Sequence, residues 1–212
     1  MTALLDAIAA GDPAAVRAAL AEDPAASGQA GPDGVSPLLR CLYRGRRDLA
    51  EIIRGTDPPM DLADASAVDD VAAVASLLAG GAEVDARTPD GFTALHLAAF
   101  FDAPHAAALL IRGGADVDAV ADNATHVAPV HSAVAGRSTA VAVALVAAGA
   151  DVDATQQGGV TALMAAAQHG DGPLVDLLLA CGADVGRLMH DGRAAGDLAA
   201  AAGDEELAAR LR

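Results

Sequence analysis

The chain has 212 residues and a formal net charge of −16, from 29 acidic residues against 13 arginines and no lysine. A surface of that sign repels phosphate and excludes nucleic acid as a partner; no apolar run reaches the roughly 18–20 residues of a membrane span. Apolar residues make up 53% of the chain but aromatic ones only 2%, so the interior must be built from Ala, Leu and Val, which bury enough area only where many helices approach closely.

The start, Met1-Thr2-Ala3-Leu4-Leu5-Asp6, has no basic n-region and meets an acid early, so a signal peptide is not expected. Two cysteines, Cys41 and Cys181, form no disulfide framework. Together these point to a reducing, cytoplasmic setting, and the Lys-free, Ala- and Arg-rich usage points to a GC-rich bacterial genome. A first helix pair is predicted over 3–10 and 13–21, split by Gly11-Asp12. A second covers 36–44 and 46–54, introduced by Asp33-Gly34 and split at Gly45, and a third covers 61–68 and 71–79.

From residue 88 the pattern is clearest. Pro89-Asp90-Gly91 is a turn signal, with Pro presetting φ and Gly supplying a positive one. Thr93 is placed to cap a short helix from Ala94. Asp102-Ala103-Pro104 breaks it, and Pro104 opens a second helix to Arg112, where its missing N–H costs nothing. Gly113-Gly114 ends that helix in the left-handed conformation, and Val117-Asp118-Ala119 should be a short extended leg.

The phrase at 81–86 (GAEVDA) returns at 114–119 (GADVDA), 149–154 (GADVDA) and 182–187 (GADVGR), with the glycines 33, 35 and 33 residues apart. A period of that length denotes stacked supersecondary units rather than one closed core. Ala128-Pro129-Val130-His131 and Thr161-Ala162-Leu163-Met164 open the fifth and sixth units, and a last pair covers 194–202 and 204–212.

Thr93-Ala94-Leu95-His96-Leu97-Ala98-Ala99, preceded by Asp-Gly and followed by the Gly-Ala-Asp-Val phrase, resembles the ankyrin repeat, with Ala94 in place of the family's proline. The resemblance implies an all-α fold, an α-solenoid of about seven stacked helix-turn-helix repeats with short β-turn fingers. The organisation expected is a degenerate pair over 1–55, a Pro-rich link over 56–60, four repeats over 61–186 and a capping repeat over 187–212, whose Asp204-Glu205-Glu206 would stop further stacking and favours a monomer. Two departures stand out. Gly45 and its equivalent Asp69 are 24 residues apart, so the finger before the third unit is missing and Thr56-Asp57-Pro58-Pro59 fills its place. The finger of the fifth unit carries a two-residue insertion around 121–126.

The resemblance also implies a concave groove lined by fingers and first helices. Its variable positions lie around the Asp-Gly turn and just before the break between helices. On this chain they are Tyr43 and Arg44, Asp90 and Phe92, and Phe100 and Phe101. All four Phe and Tyr rings therefore fall on groove positions and none on a core position. Aromatic rings and Arg dominate interface energetics; the competing reading packs Phe100 and Phe101 against the neighbouring unit. His126, Val127, Gln157, Val160, Gln168 and His169 continue the same face, either as a contact strip or as ordinary solvated groove. Arg40, Arg44, Arg46, Arg47 and Arg54 cluster in unit two, where they attract an acidic partner or, the preferred reading, neutralise acids such as Asp48 and Glu51.

The expected function is thus non-enzymatic, the binding of another protein whose surface is basic. No cofactor or metal is expected. The resemblance implies that His96 and His131 are structural, bonding loop backbone; His105 and His190 should lie on the surface. The alternative is an enzyme or a small-molecule or metal binder built on His126 and His169 with Asp122, which no metal or nucleophile motif supports.

Overall fold

Each helix pair follows from the same local chemistry. A short acidic or hydroxyl side chain precedes many of the helices and accepts from a free N–H of the first turn. Asp12 takes Ala14 and Ala15, Ser36 takes Leu39, Asp61 takes Asp64, Asp70 takes Ala73, Asp171 takes Leu174 and Asp204 takes Leu207. The break inside each pair is one residue of positive φ: Gly11, Gly45, Asp69, Asp102, Arg137, Gly170 and Gly203. Much of the chain's acidity is thereby committed to backbone geometry.

The computed structural model describes residues 2–212. Among them are fourteen α-helices in consecutive pairs: α1 Thr2–Ala10, α2 Pro13–Glu22, α3 Pro37–Tyr43, α4 Arg47–Arg54, α5 Leu62–Ala67, α6 Val71–Ala79, α7 Ala94–Phe100, α8 Pro104–Arg112, α9 Pro129–Ala135, α10 Thr139–Ala147, α11 Ala162–Gln168, α12 Gly172–Ala180, α13 Ala195–Ala201 and α14 Glu205–Arg210. The first helices stack in one row, α5 on α7, α7 on α9, α9 on α11 and α11 on α13; second helices such as α6, α8, α10 and α12 stack in another. This is the all-α solenoid that the repeats imply.

Close approach is visible at Gly136, where a Cβ would fall 2.1 Å from the Phe100 carbonyl oxygen of the preceding unit. The apolar interior forms two clusters. One runs from Leu62 to Leu211; the other centres on α1–α4 and takes in Ala63 and Ala67 of α5 and Leu97 and Phe101 of the α7 region. Met60, at the end of the Pro-rich link, packs against both.

The Gly-Ala-Asp-Val segments are tight turns, not the extended legs expected. Val117 and Asp118 sit in a turn closed by the Ala119 N–H on the Asp116 carbonyl at 3.2 Å. The repeated aspartates explain why. In the last three copies the first aspartate accepts from the residue two ahead, as Asp118 N–H donates to Asp116 at 3.0 Å and Asp153 N–H to Asp151 at 3.0 Å. The second accepts from the next unit: Asp85 from Asp116 N–H, Asp118 from Asp151 N–H at 2.9 Å, and Asp153 from Asp184 N–H at 2.9 Å.

The fingers bond to one another in the same sequential way. Asp122 N–H donates to the Gly91 carbonyl, Gln157 N–H to Thr125 and His190 N–H to Gly158, each at 2.9 Å. One finger is a two-stranded antiparallel hairpin, β1 Thr155–Gln156 with β2 Val160–Thr161. No finger precedes α5, and Gly34 of the second unit's finger lies directly on the Pro89 ring of the fourth. The inserted residues of the fifth finger are tied down by Asn123, whose Oδ1 accepts from Thr125 and whose Nδ2 donates to the Asp90 carbonyl at 2.8 Å.

Gly91 has φ +87, and a Cβ there would stand 2.3 Å from the Asp122 carbonyl oxygen. Gly91→Ala is therefore expected to cost about 1–2 kcal/mol by urea denaturation, through left-handed strain and separation of the two fingers.

Candidate functional site

The site begins with a pattern along the first helices. Two residues before the break stand Tyr43 in α3, Ala67 in α5 and Phe100 in α7. Two large rings therefore flank an alanine. α5 is also one residue shorter than its neighbours, having six residues against seven for α3 and α7.

A cleft of about 260 Å³ lies between residues of the second, fourth and fifth units, and no residue of α5 lines it. Tyr43, Phe92 and Phe100 supply its rings, Leu97 and His96 are the buried apolar and imidazole groups behind them, and Asp90 and Ser132 supply its polar edge. Tyr43 is 40% exposed and Phe100 43% exposed, so both present open ring surface. Phe92 is half-buried, its centroid 5.8 Å from the His96 ring.

Phe101 corrects the sequence expectation. It is 8% exposed and belongs to the N-terminal apolar cluster with Ala63, Ala67 and Leu97. Its ring lies 5.9 Å from Tyr43 and 5.1 Å from Phe100, edge-on to the latter at 86°. The small residues of α5 leave room for a ring from the fourth unit to reach the second. Phe101 is thus a core residue supporting two surface rings, and not all four rings occupy groove positions.

The polar groups around the cleft are held in defined states. Thr88 Oγ1 donates to Asp90 Oδ1 at 2.5 Å. Burial pushes the Tyr43 phenol up, and the adjacent Asp90 carboxylate, reinforced by Asp64 and Asp61, pushes it further, so the phenol stays protonated. Burial pushes His96 down to about 4, outweighing the opposing effect of the Val127 carbonyl, so the imidazole is neutral. Its bonds agree with that: Nδ1 accepts from Thr93 N–H at 3.2 Å, and Nε2–H donates to the Val127 carbonyl at 3.0 Å.

His131 repeats the arrangement, with Ala128 N–H on Nδ1 at 3.2 Å and Nε2 facing the Val160 carbonyl at 3.3 Å. Both imidazoles tie a helix start to the next finger, as the sequence implies. Met164 keeps half of this role, accepting from Thr161 N–H on sulfur at 3.4 Å.

The remaining sequence-predicted residues do not join the cleft. Arg44 is exposed at the end of α3. His126 is exposed in the inserted finger with φ +51, and Gln157 is exposed in the next finger. Val127 and Val160 are half-buried and contribute their carbonyls to His96 and His131. Gln168 and His169 are exposed at the end of α11. Among the described residues no three His, Cys, Asp or Glu side chains come together as a metal site. His105 and His190 are exposed, and His105 Nδ1 lies 2.7 Å from Asp69.

The arginines of unit two largely serve the chain's own acids. Arg40 pairs with Asp33, Arg46 with Asp48 and Arg54 with Glu51, while Arg47 donates to the Phe101 carbonyl at 3.3 Å. What sequence reading missed at the site is Leu97, His96 and Ser132. The signal that could have found the cleft is the pair of rings that stand two residues before a helix break, Tyr43 and Phe100.

No helix among the described residues is long and apolar enough to cross a membrane. A comparison with curated proteins finds no match to the chain. The family description "Ankyrin repeats (3 copies)" matches it over residues 62–156 and again over 130–212. Those two spans cover well over half of the chain, with the finger contacts and both histidine-capped helix starts described above inside them: the chain belongs to the ankyrin-repeat family.

Proposed function

We propose that the protein is a non-catalytic interaction module that holds a partner protein along its concave side, anchored at Tyr43, Phe92 and Phe100. Ankyrin repeats are in general protein–protein interaction modules. The observation that supports the reading here is the apolar cleft, which gathers three of the chain's four Phe and Tyr rings in one place. Arg44, His126, Val127, Gln157, Val160, Gln168 and His169 are its polar and peripheral contacts, and Phe101 acts from beneath. The partner presents a basic surface, drawn by a chain of net charge −16. Cys41 and Cys181 are free thiols, in keeping with a reducing compartment.

Phe100→Ala tests the reading. Its ring is exposed, so thermal unfolding should shift by no more than about 4 °C. Affinity capture should recover a partner with the parent chain and lose it with the variant, because removing a central anchor costs about 2 kcal/mol or more of binding. Equal recovery of that partner by parent and variant overturns the groove as the interface.

A further inference from the structure

The geometry points to the cleft between Tyr43, Phe92 and Phe100 as the seat of a methylated lysine side chain of the partner, held by the rings around its alkylated ammonium. This rests on the groove being the interaction surface and names what this cleft of it takes.

Three observations carry it. The first is the rings. A cation near an aromatic face is attracted by the ring quadrupole, and the attraction strengthens as water is removed. Tyr43, Phe92 and Phe100 line one cleft, and Phe101 fixes two of them from below.

The second is charge. Asp90 is the one carboxylate in the lining, and no basic charge offsets it because burial keeps His96 neutral. Asp61 and Asp64 lie near enough to act on the Tyr43 phenol. A neutral aliphatic side chain would leave that negative field unanswered, whereas a cation complements it.

The third observation is the scarcity of free acceptors, which separates a methylated ammonium from a bare one or a guanidinium. A bare lysine ammonium carries three N–H donors and a guanidinium five, and each needs an acceptor once it leaves water. The cleft presents almost entirely apolar surface, and the one carboxylate in its lining already accepts from the Thr88 hydroxyl at 2.5 Å. Alkylation removes the donors and spreads the charge over methyl groups that pack against rings. The volume of about 260 Å³ takes a trimethylammonium head and the last methylenes of its stem.

The chain's own composition makes the test clean, since three Phe and one Tyr supply all of its phenyl and phenol resonances. Proton NMR titrations would compare N-acetyl-trimethyllysine amide with the unmethylated amide, and choline with its uncharged isostere 3,3-dimethylbutan-1-ol. We expect the trimethylated amide to bind roughly tenfold tighter than the bare one, and choline roughly tenfold tighter than the alcohol, with shifts on the ring signals. Phe92→Leu, which keeps apolar bulk, and Asp90→Asn, which keeps an acceptor for Thr88, should each weaken the trimethylated amide several-fold. Equal affinity within either pair, or undiminished binding by both variants, overturns the inference. The partner-capture result with Phe100→Ala is independent of these titrations: a cleft that takes the alcohol as well as choline leaves the groove reading intact and removes only the cation.

Discussion

Phe101→Ala is expected to destabilise the protein by about 3–4 kcal/mol, while Phe100→Ala, one residue away, costs less than about 1 kcal/mol. Phe101 is 8% exposed and packs with Ala63, Ala67 and Leu97, so its removal leaves a void walled by alanines that cannot extend to fill it. Phe100 has open ring surface at 43% exposure and leaves a smaller one. Chemical denaturation of the two variants side by side measures the difference. Near-equal losses would mean that both rings are interior or both are surface, contrary to their placement. The Phe101 variant should also loosen Tyr43, whose ring rests on it at 5.9 Å, and so weaken binding indirectly.

The second large effect is electrostatic. Asp64 is 5% exposed, and burial, helped by the nearby Asp61 carboxylate, pushes its carboxyl up from 3.8 to about 7. A carboxyl whose folded value is raised stabilises the fold fully below pH 3.8, and that contribution is lost as pH climbs towards 7. Asp64→Asn removes the ionisation but keeps an oxygen for the Ser36 hydroxyl, which donates to Asp64 Oδ1 at 2.5 Å. The variant should gain stability over the parent through that window, reaching up to about 4 kcal/mol by pH 8, and match it near pH 4. His96 drives the opposite trend, its neutral ring disfavouring the fold as pH falls from 6.5 towards 4, but it is common to both proteins and cancels in the comparison. Unfolding free energies at several pH values check the result; a difference independent of pH would mean that Asp64 is ionised throughout.

Local signals in this sequence carry far. The helix starts at Pro13, Val71 and Pro104 coincide with those expected, because a cap and a proline act within one turn. The imidazole roles of His96 and His131 were equally legible, since their place at the third helical residue brings Nδ1 back to the cap. Phe101 was not legible. Whether it faces groove or core depends on α5, a different unit, being short and carrying alanines at 63 and 67. The turns at Val117-Asp118 were misread for a different reason: their bonds are local, from Asp118 N–H to the Asp116 carboxylate and from Ala119 N–H to the Asp116 carbonyl, and the aspartate that makes them was read only as part of a repeated phrase. The cleft itself needed both kinds of knowledge, the rings from the sequence and their convergence from the stacking.

The aspartate relay along the turns also has a direction. Each phrase supplies a carboxylate to the phrase after it, and the fourth copy has Gly186 where Asp85, Asp118 and Asp153 stand in the others. Gly186 keeps the local bond of the earlier copies, its N–H donating to Asp184 at 2.8 Å, but has no carboxylate to pass on. A designer wishing to lengthen the array by splicing in another module could insert it between existing phrases, where donor and acceptor are both on offer, but would find no docking carboxylate beyond residue 186 unless one were first restored.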